Sequence, residues 1–134
     1  MRPFDISGLN HMAVLVNNLD ENLAFYEGVL GCTIDARLPE FGMVALNAGS
    51  DQIDLVDVSV PEGKWAQPKI SGGSNVDHFA LEIRCSDESA VRAFLASRGI
   101  DIDEVRVEEV ESGRTVSLYV FDPSGNKVEL LMRV

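Results

Sequence analysis

The sequence predicts an α+β fold made of two tandem βαβββ modules, because the same order of elements occurs twice in 134 residues. Each half begins with a β-branched and apolar segment that carries a histidine and an alanine in matching places, His11-Met12-Ala13 and His78-Phe79-Ala80. Each half continues with a helical pattern that ends at a glycine, Gly31 or Gly99. Three short strand patterns follow each glycine, so we expect eight strands and two helices.

The first module is predicted to span residues 7–60. Its first strand covers 9–16, and Asp20 is expected to cap the helix that follows. Apolar residues recur in that helix at near-helical spacing, namely Leu23, Phe25, Tyr26, Val29 and Leu30. The three remaining strands are expected over 33–37, 43–47 and 52–58.

The second module is predicted to span residues 75–134 and to follow a linker over 61–74, which glycines and prolines interrupt. Its strand over 76–83 precedes a helix that Ser86 or Asp87 caps and that turns Val91, Phe94 and Leu95 inward. Strands are expected over 103–110, 115–121 and 127–133. The two modules and the linker are expected to form one domain over 1–134.

Composition excludes several classes of protein. The chain has 22 acidic and 11 basic residues and a net charge of -11, which disfavours nucleic acid and anionic membranes as partners. It contains no apolar run of the roughly 20 residues that a membrane span needs. The N-terminus lacks the apolar core of a signal peptide, so we expect a cytoplasmic protein. Cys32 and Cys85 are expected to be free thiols, and the alternative is one bridge between them.

Side-chain alternation along the strands places a group of polar residues on one face of the predicted sheets. Successive residues of a strand point to opposite faces, so His11 shares a face with Ala13, and His78 shares one with Ala80. On the last strand of each module, Asp54 and Glu129 stand opposite bulky apolar neighbours. We therefore expect a helix behind each sheet and a pocket in front of it.

These four residues are candidate metal ligands. A single strand histidine is usually structural, but two histidines at matching positions with two matching carboxylates favour a metal site. Imidazole nitrogen and carboxylate oxygen suit one divalent ion of Zn, Ni, Fe, Co or Mn. Gln52 shares a face with Asp54 and is its alternative as a ligand, whereas Glu82 is expected to be a solvated residue or part of the pocket rim.

The chain resembles the vicinal oxygen chelate superfamily, which includes glyoxalase I, extradiol dioxygenases and bleomycin-resistance proteins. The resemblance covers nearly the whole chain. Its marks are the opening segment Leu9 to Val14, the helix end Leu23 to Gly31, and the segment Tyr119 to Leu130 with its Asp-Pro-Ser-Gly-Asn turn. It implies a glyoxalase-like fold in which the two modules curl into an open eight-stranded mixed sheet.

The resemblance also implies the ligand positions, which lie on the first and fourth strands of each module and correspond to His11, Asp54, His78 and Glu129. The family commonly has Glu or Gln at the second of these positions, so Asp54 is a departure. A small-molecule substrate and a homodimer are further expectations. Whether one chain or two chains form each metal site is left open.

The implied chemistry is chelation of adjacent oxygens of a substrate, followed by proton transfer in a lyase or isomerase reaction. Glu129 or Asp54 is the expected proton carrier. Tyr119 and Ser117 share a face of the seventh strand and are candidates for substrate contact or proton relay, and the alternative for Tyr119 is a core aromatic residue.

Three alternatives to a glyoxalase-type enzyme remain. An Fe²⁺ ring-cleaving dioxygenase would use His11, His78 and Glu129. A metal-free drug-binding protein would need a groove lined by aromatic residues, but only 7% of the residues are aromatic. A thiol transferase acting on a phosphonate would need basic residues near the metal, for which Arg37, Arg114 and Lys64 are the candidates.

Overall fold

The computed structural model describes residues 5, 8–66, 76–85, 87–111 and 113–134. Within them, the chain has the predicted α+β architecture, with eight strands in the order of two βαβββ modules. It divides into two compact units, Met1–Pro68 and Lys69–Val134. The strands are β1 (His11–Val16), β2 (Thr33–Leu38), β3 (Met43–Ala48), β4 (Asp51–Asp57), β5 (His78–Glu82), β6 (Glu104–Val110), β7 (Gly113–Phe121) and β8 (Lys127–Arg133).

Each unit contains a four-stranded mixed sheet, and the two sheets have the same topology. The strand order is β1-β4-β3-β2 in the first unit and β5-β8-β7-β6 in the second. The first strand of each module runs parallel to the fourth, and the other pairs are antiparallel. The eight expected strands are therefore hydrogen-bonded as two sheets, one in each module. The single domain over 1–134 stays a prediction.

The face of each sheet that carries the bulky apolar residues is buried, as side-chain alternation predicts. Burial of such a side chain stabilises the fold by about 1.5–3 kcal/mol. Residues of this face are almost inaccessible to solvent in both units, among them Val44, Leu46, Leu55, Leu118, Val128 and Met132. The opposite face of each sheet carries the polar candidates, including Asp54 and Glu129.

The first helix differs from its prediction in both its cap and its geometry. The α-helix α1 covers Leu19–Leu23 and continues as a π-helical segment over Ala24–Val29. Asn18, not Asp20, is the N-cap, because its side chain accepts the Glu21 N–H at 3.2 Å. Gly31 ends the helix with a φ of 79°, as predicted.

A carboxylate from β4 completes the start of α1. Asp57 is buried and accepts the Leu19 N–H at 3.0 Å, which is one of the four N–H groups that a helix start leaves without an intrahelical partner. Burial by itself would raise the pKa of Asp57, but hydrogen bonds from Ser59 and Leu19 outweigh it and hold that pKa below its ordinary value. This cap lies 38 residues away in sequence, so the local pattern around Asp20 did not reveal it.

The second helix, α2, covers Glu88–Ser97. Its N-cap is Asp87, whose side chain accepts the Ser89 N–H at 2.9 Å, while the alternative Ser86 lies outside the described residues. Leu95 is buried, as predicted. The inward placement of Phe94 was wrong: its ring is 41% exposed and lies 5.4 Å from the Arg98 guanidinium. Phe94 stands at the border of a narrow apolar stripe, so its neighbour Leu95 takes the buried position.

The predicted linker begins with structure of its own. A 3-10 helix covers Pro61–Ala66, and the rest of the linker, 67–74, lies outside the described residues. Gly63 packs so tightly against the Asp57 carbonyl oxygen that a Cβ on it would overlap that atom, which explains the glycine there. No helix of the described residues is both long and apolar enough to cross a membrane.

Candidate functional site

The two histidines occupy equivalent positions in the two sheets. His11 pairs with Gln52, and Ala13 pairs with Asp54. His78 pairs with Lys127, and Ala80 pairs with Glu129, so each histidine lies diagonal to a carboxylate on the neighbouring strand. Both alanines are exposed, which confirms that the surface beside each histidine is open.

In the first module, His11 and Asp54 lie close together without a direct hydrogen bond. The His11 Nε2 is 3.8 Å from the Asp54 Oδ2, which is beyond hydrogen-bonding distance. The His11 Nδ1 lies 2.9 Å from the Asn10 Oδ1. The side chain of His11 is 51% exposed and that of Asp54 is 14% exposed, so the pair opens to the front of the sheet.

In the second module, the corresponding pair is in contact. The His78 Nε2 lies 3.1 Å from the Glu129 Oε2, and the His78 Nδ1 lies 2.8 Å from the Asp77 Oδ2. A neutral imidazole carries one N–H and donates to only one of these carboxylates. When Nδ1–H donates to Asp77, the Nε2 lone pair faces the Glu129 carboxylate, and a divalent cation held by these two groups would make that contact favourable.

Tyr119 adds a third polar group to the second pair. It stands opposite Glu129 in the β7–β8 register, and its ring lies edge-on to the His78 ring at 5.4 Å. Burial raises the pKa of Tyr119, and so do the hydrogen bond to Glu129 and the charge of that carboxylate. Tyr119 therefore remains a neutral phenol that donates its O–H to Glu129.

Two cations flank the Tyr119 ring. The Arg106 guanidinium and the Lys127 Nζ each lie 5.7 Å from the ring centroid. Neither cation was predicted from the sequence, and nor was Asp77, although Asp77 directly precedes His78 and Lys127 lies two residues before Glu129. Arg106 lies on β6 and Tyr119 on β7, so only the register of these two strands could have predicted that the two residues are neighbours.

The first module has different neighbours at the equivalent positions. Ala45 stands opposite Asp54, in the place that Tyr119 takes opposite Glu129. Gln52, the alternative ligand to Asp54, donates instead to Asp35 at 3.1 Å and to Asn47 at 3.4 Å. The site of the first module thus has fewer polar groups that could hold its carboxylate in place.

The other candidates of the sequence lie outside these pairs. Glu82 is exposed and binds Arg133 at 2.7 Å, as expected for a solvated residue, and this ion pair lowers its pKa. Ser117 is buried and stands opposite Leu131. Of the basic residues that were candidates for binding a phosphonate, Lys64 donates to the Val58 carbonyl, Arg114 lies 3.9 Å from Glu109, and Arg37 is exposed.

The donor chemistry of the two pairs fits a divalent metal ion. Each pair offers an imidazole nitrogen and a carboxylate oxygen, and each histidine has its Nδ1 held by the side chain of the preceding residue. Such an arrangement fixes the ring and leaves Nε2 for a metal. No three His, Cys, Asp or Glu side chains of the described residues are grouped closely enough to form a metal site by themselves. The assembly of all four predicted ligands around one ion therefore stays a prediction.

Both cysteines are free thiols, as predicted. Cys32 is buried and Cys85 is partly exposed. Burial raises the pKa of the Cys32 thiol, which keeps it protonated and unreactive at neutral pH. Neither cysteine belongs to the two pairs of histidine and carboxylate.

Comparison with known proteins gives one consistent result. A family model described as the glyoxalase/bleomycin resistance protein/dioxygenase superfamily matches residues 8–130. A protein named glyoxylase I 4 from Arabidopsis thaliana is 32% identical over 132 residues, which cover 96% of this chain and 72% of that protein. A lactoylglutathione lyase from Neisseria meningitidis is 27% identical over 129 residues, which cover 93% of this chain and 90% of that protein.

The fold is shared with solved structures as well. A crystal structure of a virulence protein from Salmonella typhimurium matches with a TM-score of 0.70 and 25% identity, covering 98% of this chain and 100% of that chain. This structural match agrees with the family match, with the two four-stranded sheets and with the equivalent histidine positions. The chain belongs to the glyoxalase/bleomycin resistance protein/dioxygenase superfamily.

Proposed function

We propose that this protein is a metal-dependent enzyme of the glyoxalase type, with His11, Asp54, His78 and Glu129 as ligands of one divalent ion of Zn, Ni, Fe, Co or Mn. The observation that carries the proposal is the repetition of one pair of donors at equivalent positions of both sheets. The similarity to proteins named glyoxylase I and lactoylglutathione lyase supports it.

The ion would supply Lewis acidity, which stabilises negative charge on the adjacent oxygens of a bound substrate. The protein's own residues would orient the substrate and move the proton. Ala13 and Ala80, both exposed beside the histidines, leave space for a small molecule in front of each sheet. The substrate class that fits is a small molecule with neighbouring carbonyl and hydroxyl oxygens.

Glu129 is the proposed proton carrier, because its carboxylate is only 12% exposed and is positioned by two neighbours. His78 contacts one of its oxygens at 3.1 Å, and the Tyr119 hydroxyl donates to the carboxylate. A carboxylate held in this way takes a proton from the carbon beside a carbonyl group and returns it to the neighbouring carbon. Asp54 is the second candidate for this role, with a less constrained carboxylate.

The name lactoylglutathione lyase suggests a specific test substrate. Glutathione and methylglyoxal form a hemithioacetal, which carries a hydroxyl group on one carbon and a carbonyl group on the next. Moving the proton of the hydroxyl-bearing carbon to the carbonyl carbon, and the hydroxyl proton to the former carbonyl oxygen, gives the thioester lactoylglutathione with no change in the number of atoms. Thioester formation is followed by its ultraviolet absorbance after the protein is loaded with each candidate metal in turn.

Glu129→Gln and Glu82→Gln form a matched pair for this assay, because both glutamates lie on the same face of the second sheet, and Glu82 is exposed and paired with Arg133. We expect Glu129→Gln to lose activity by about a hundredfold or more and Glu82→Gln to retain it. Equal activity in the two variants would contradict the assignment of Glu129.

The dioxygenase is the second candidate, because Asp54 is shorter than the common Glu or Gln and stands opposite Ala45, which offers it no hydrogen bond. Without Asp54, the remaining set of two histidines and one glutamate is the ligand set of non-haem iron oxygenases. Oxygen uptake with a catechol, after anaerobic loading with Fe²⁺, tests this alternative. Failure of the wild type to bind any of the five metals would instead favour a metal-free drug-binding protein.

A further inference from the structure

Strand β6 forms the outer edge of the second sheet and is unusually open. No other strand of the described residues lies on the far side of β6. All side chains from 104 to 109 are exposed, and the apolar Val105 and Val107 are 40% and 48% exposed. The outer strand β2 of the first sheet has a register shift between Ile34 and Ala36, whereas β6 pairs without interruption over its whole length. Edge strands that are long and regular are templates for pairing with another strand.

The hydrogen-bonding pattern shows which backbone groups of β6 face outward. The Val134 N–H donates to the Arg114 carbonyl at 2.9 Å. Because bonding direction alternates along an antiparallel strand, even-numbered residues of β7 bond to β8, and odd-numbered ones such as Tyr119 bond to β6. Tyr119 stands opposite Glu104, so even-numbered residues of β6 bond to β7. The outward N–H and C=O groups are therefore those of Val105, Val107 and Glu109.

These outward groups fit a second copy of the same strand. Val107 is the midpoint of Glu104–Val110. A two-fold axis at Val107 pairs β6 with its copy in antiparallel fashion over the full strand, with Val107 opposite Val107 and Val105 opposite Glu109. Each of these residues has its N–H and C=O on the outer edge, as such a ladder requires.

The charges of β6 are complementary in this register. Arg106 of each copy stands opposite Glu108 of the other copy, which places two opposite-charge pairs on the front face. Arg106 already binds Glu104 at 3.1 Å, and its guanidinium has further N–H donors for a second carboxylate. A shift of the register by two residues in either direction would place Arg106 opposite Arg106 or Glu108 opposite Glu108, and like charges directly opposite are destabilising.

We propose that β6 is a homodimer interface, in which the outer edges of two copies pair in antiparallel fashion about Val107 and the two sheets join into one of eight strands. The occupant is a second copy of this chain, selected by the match of Arg106 with Glu108. The pairing uses none of the proposed metal ligands, and its readout is association rather than activity, because Arg106 also lies beside the Tyr119 ring.

A proline at the centre of the edge tests the backbone pairing. In Val107→Pro the outward N–H is lost, while the β6–β7 ladder keeps its own bonds, since proline is tolerated where the N–H faces outward. Val107→Thr keeps the N–H and the β-branched shape and is the matched control. Sedimentation equilibrium is expected to show a dimer for the wild type and for Val107→Thr, with dimerisation at least about tenfold weaker for Val107→Pro.

Charge reversal tests the register and does not depend on the folding of the proline variant. Arg106→Glu and Glu108→Arg should each weaken the dimer by several-fold, and the double variant should restore it because the pairs are re-formed with opposite polarity. Arg133→Glu makes the same change of charge at a residue outside β6 and should leave association unchanged. A monomeric wild type would overturn the proposal. So would a dimer that withstands Val107→Pro and both single reversals.

Discussion

The two modules differ most at the pair of histidine and carboxylate that each of them carries. The nitrogen and oxygen atoms of the second pair lie 3.1 Å apart, whereas those of the first lie 3.8 Å apart. The histidine of the second pair is also less exposed, at 33% against 51%. Strand register and face are the same in both modules, so the backbone does not explain the difference.

The side chains around each pair do explain it. Aspartate is one methylene shorter than glutamate, so Asp54 reaches less far toward His11 than Glu129 reaches toward His78. Tyr119 donates to Glu129, whereas Ala45 at the equivalent position has no group to donate. A duplicated backbone thus repeats the positions of the ligands, but their neighbours decide how firmly each one is held. We expect the second module to dominate both metal affinity and proton transfer.

The largest expected effect contrasts the two carboxylates. Glu129→Gln should lower the rate of proton transfer by about a hundredfold to ten-thousandfold. Asp54→Asn should cause a smaller loss, since Asp54 is less constrained. Steady-state kinetics of both variants, at equal metal content, measures the contrast. Equal losses would show that the two modules contribute alike.

The next effect contrasts the residues that hold the histidines. The His78 Nδ1 faces the charged carboxylate of Asp77, whereas the His11 Nδ1 faces the neutral amide oxygen of Asn10. Asp77→Asn should weaken metal binding by about tenfold to a hundredfold. Asn10→Asp should strengthen it, because a carboxylate raises the basicity of the ring. Competition with a chelator measures the metal affinity of both variants. Tighter metal binding by Asp77→Asn than by the wild type would refute this role of the charge.

A third contrast concerns stability and lies at the end of the fourth strand. The first module has the buried Asp57 there, and the second has the buried Met132. Asp57→Asn should lower the free energy of unfolding by about 1–3 kcal/mol, because the hydrogen bonds to Leu19 and Ser59 lose their charged acceptor. Asp51 is exposed at the start of the same strand, so Asp51→Asn serves as the control and should change the free energy of unfolding by about 0.5 kcal/mol or less.

The effect of Asp57 should depend on pH. Its folded pKa lies below the ordinary value of 3.8, so its contribution is present above that value and is lost as the pH falls through the folded pKa. Urea unfolding of wild type and Asp57→Asn should therefore differ at neutral pH and converge in strong acid. A difference that persists at the lowest pH would assign the effect to packing.

The smallest expected effect is that of the Tyr119 hydroxyl. Tyr119→Phe removes one hydrogen bond to Glu129 and keeps the ring beside His78. Activity should fall by about tenfold or less, in line with the loss of one such bond, and metal content should stay unchanged. A rate equal to that of the wild type would make Tyr119 a core aromatic residue only.

Strand positions and faces were predictable because alternation of apolar and polar residues survives in the sequence. The patterns around His11 and His78 place both histidines and both carboxylates on the correct faces, and the structure brings them together as two pairs. The order of the elements also follows from this pattern. The convergence of the two histidines and two carboxylates on one metal ion remains a prediction, since it depends on more than the pairing of strands inside each sheet.

The features that sequence analysis missed depend on contacts between distant residues. Asp57 caps α1 across 38 residues, so Asp20 looked like the cap in the local pattern. Phe94 and Leu95 are both apolar, and only the packing of α2 decides which of them is buried. Arg106 approaches Tyr119 through the register of β6 with β7, which apolar patterns do not specify to a single residue.

Metal analysis of the purified protein decides whether the two pairs form one site. After removal of loosely bound ions, wild type is compared with His11→Ala, His78→Ala, Glu129→Ala and the control Glu82→Ala. We expect about one divalent ion per chain in the wild type and in Glu82→Ala, and its loss in His78→Ala, Glu129→Ala and His11→Ala. A metal-free wild type that also fails to take up Zn, Ni, Fe, Co or Mn would contradict a metal-dependent enzyme.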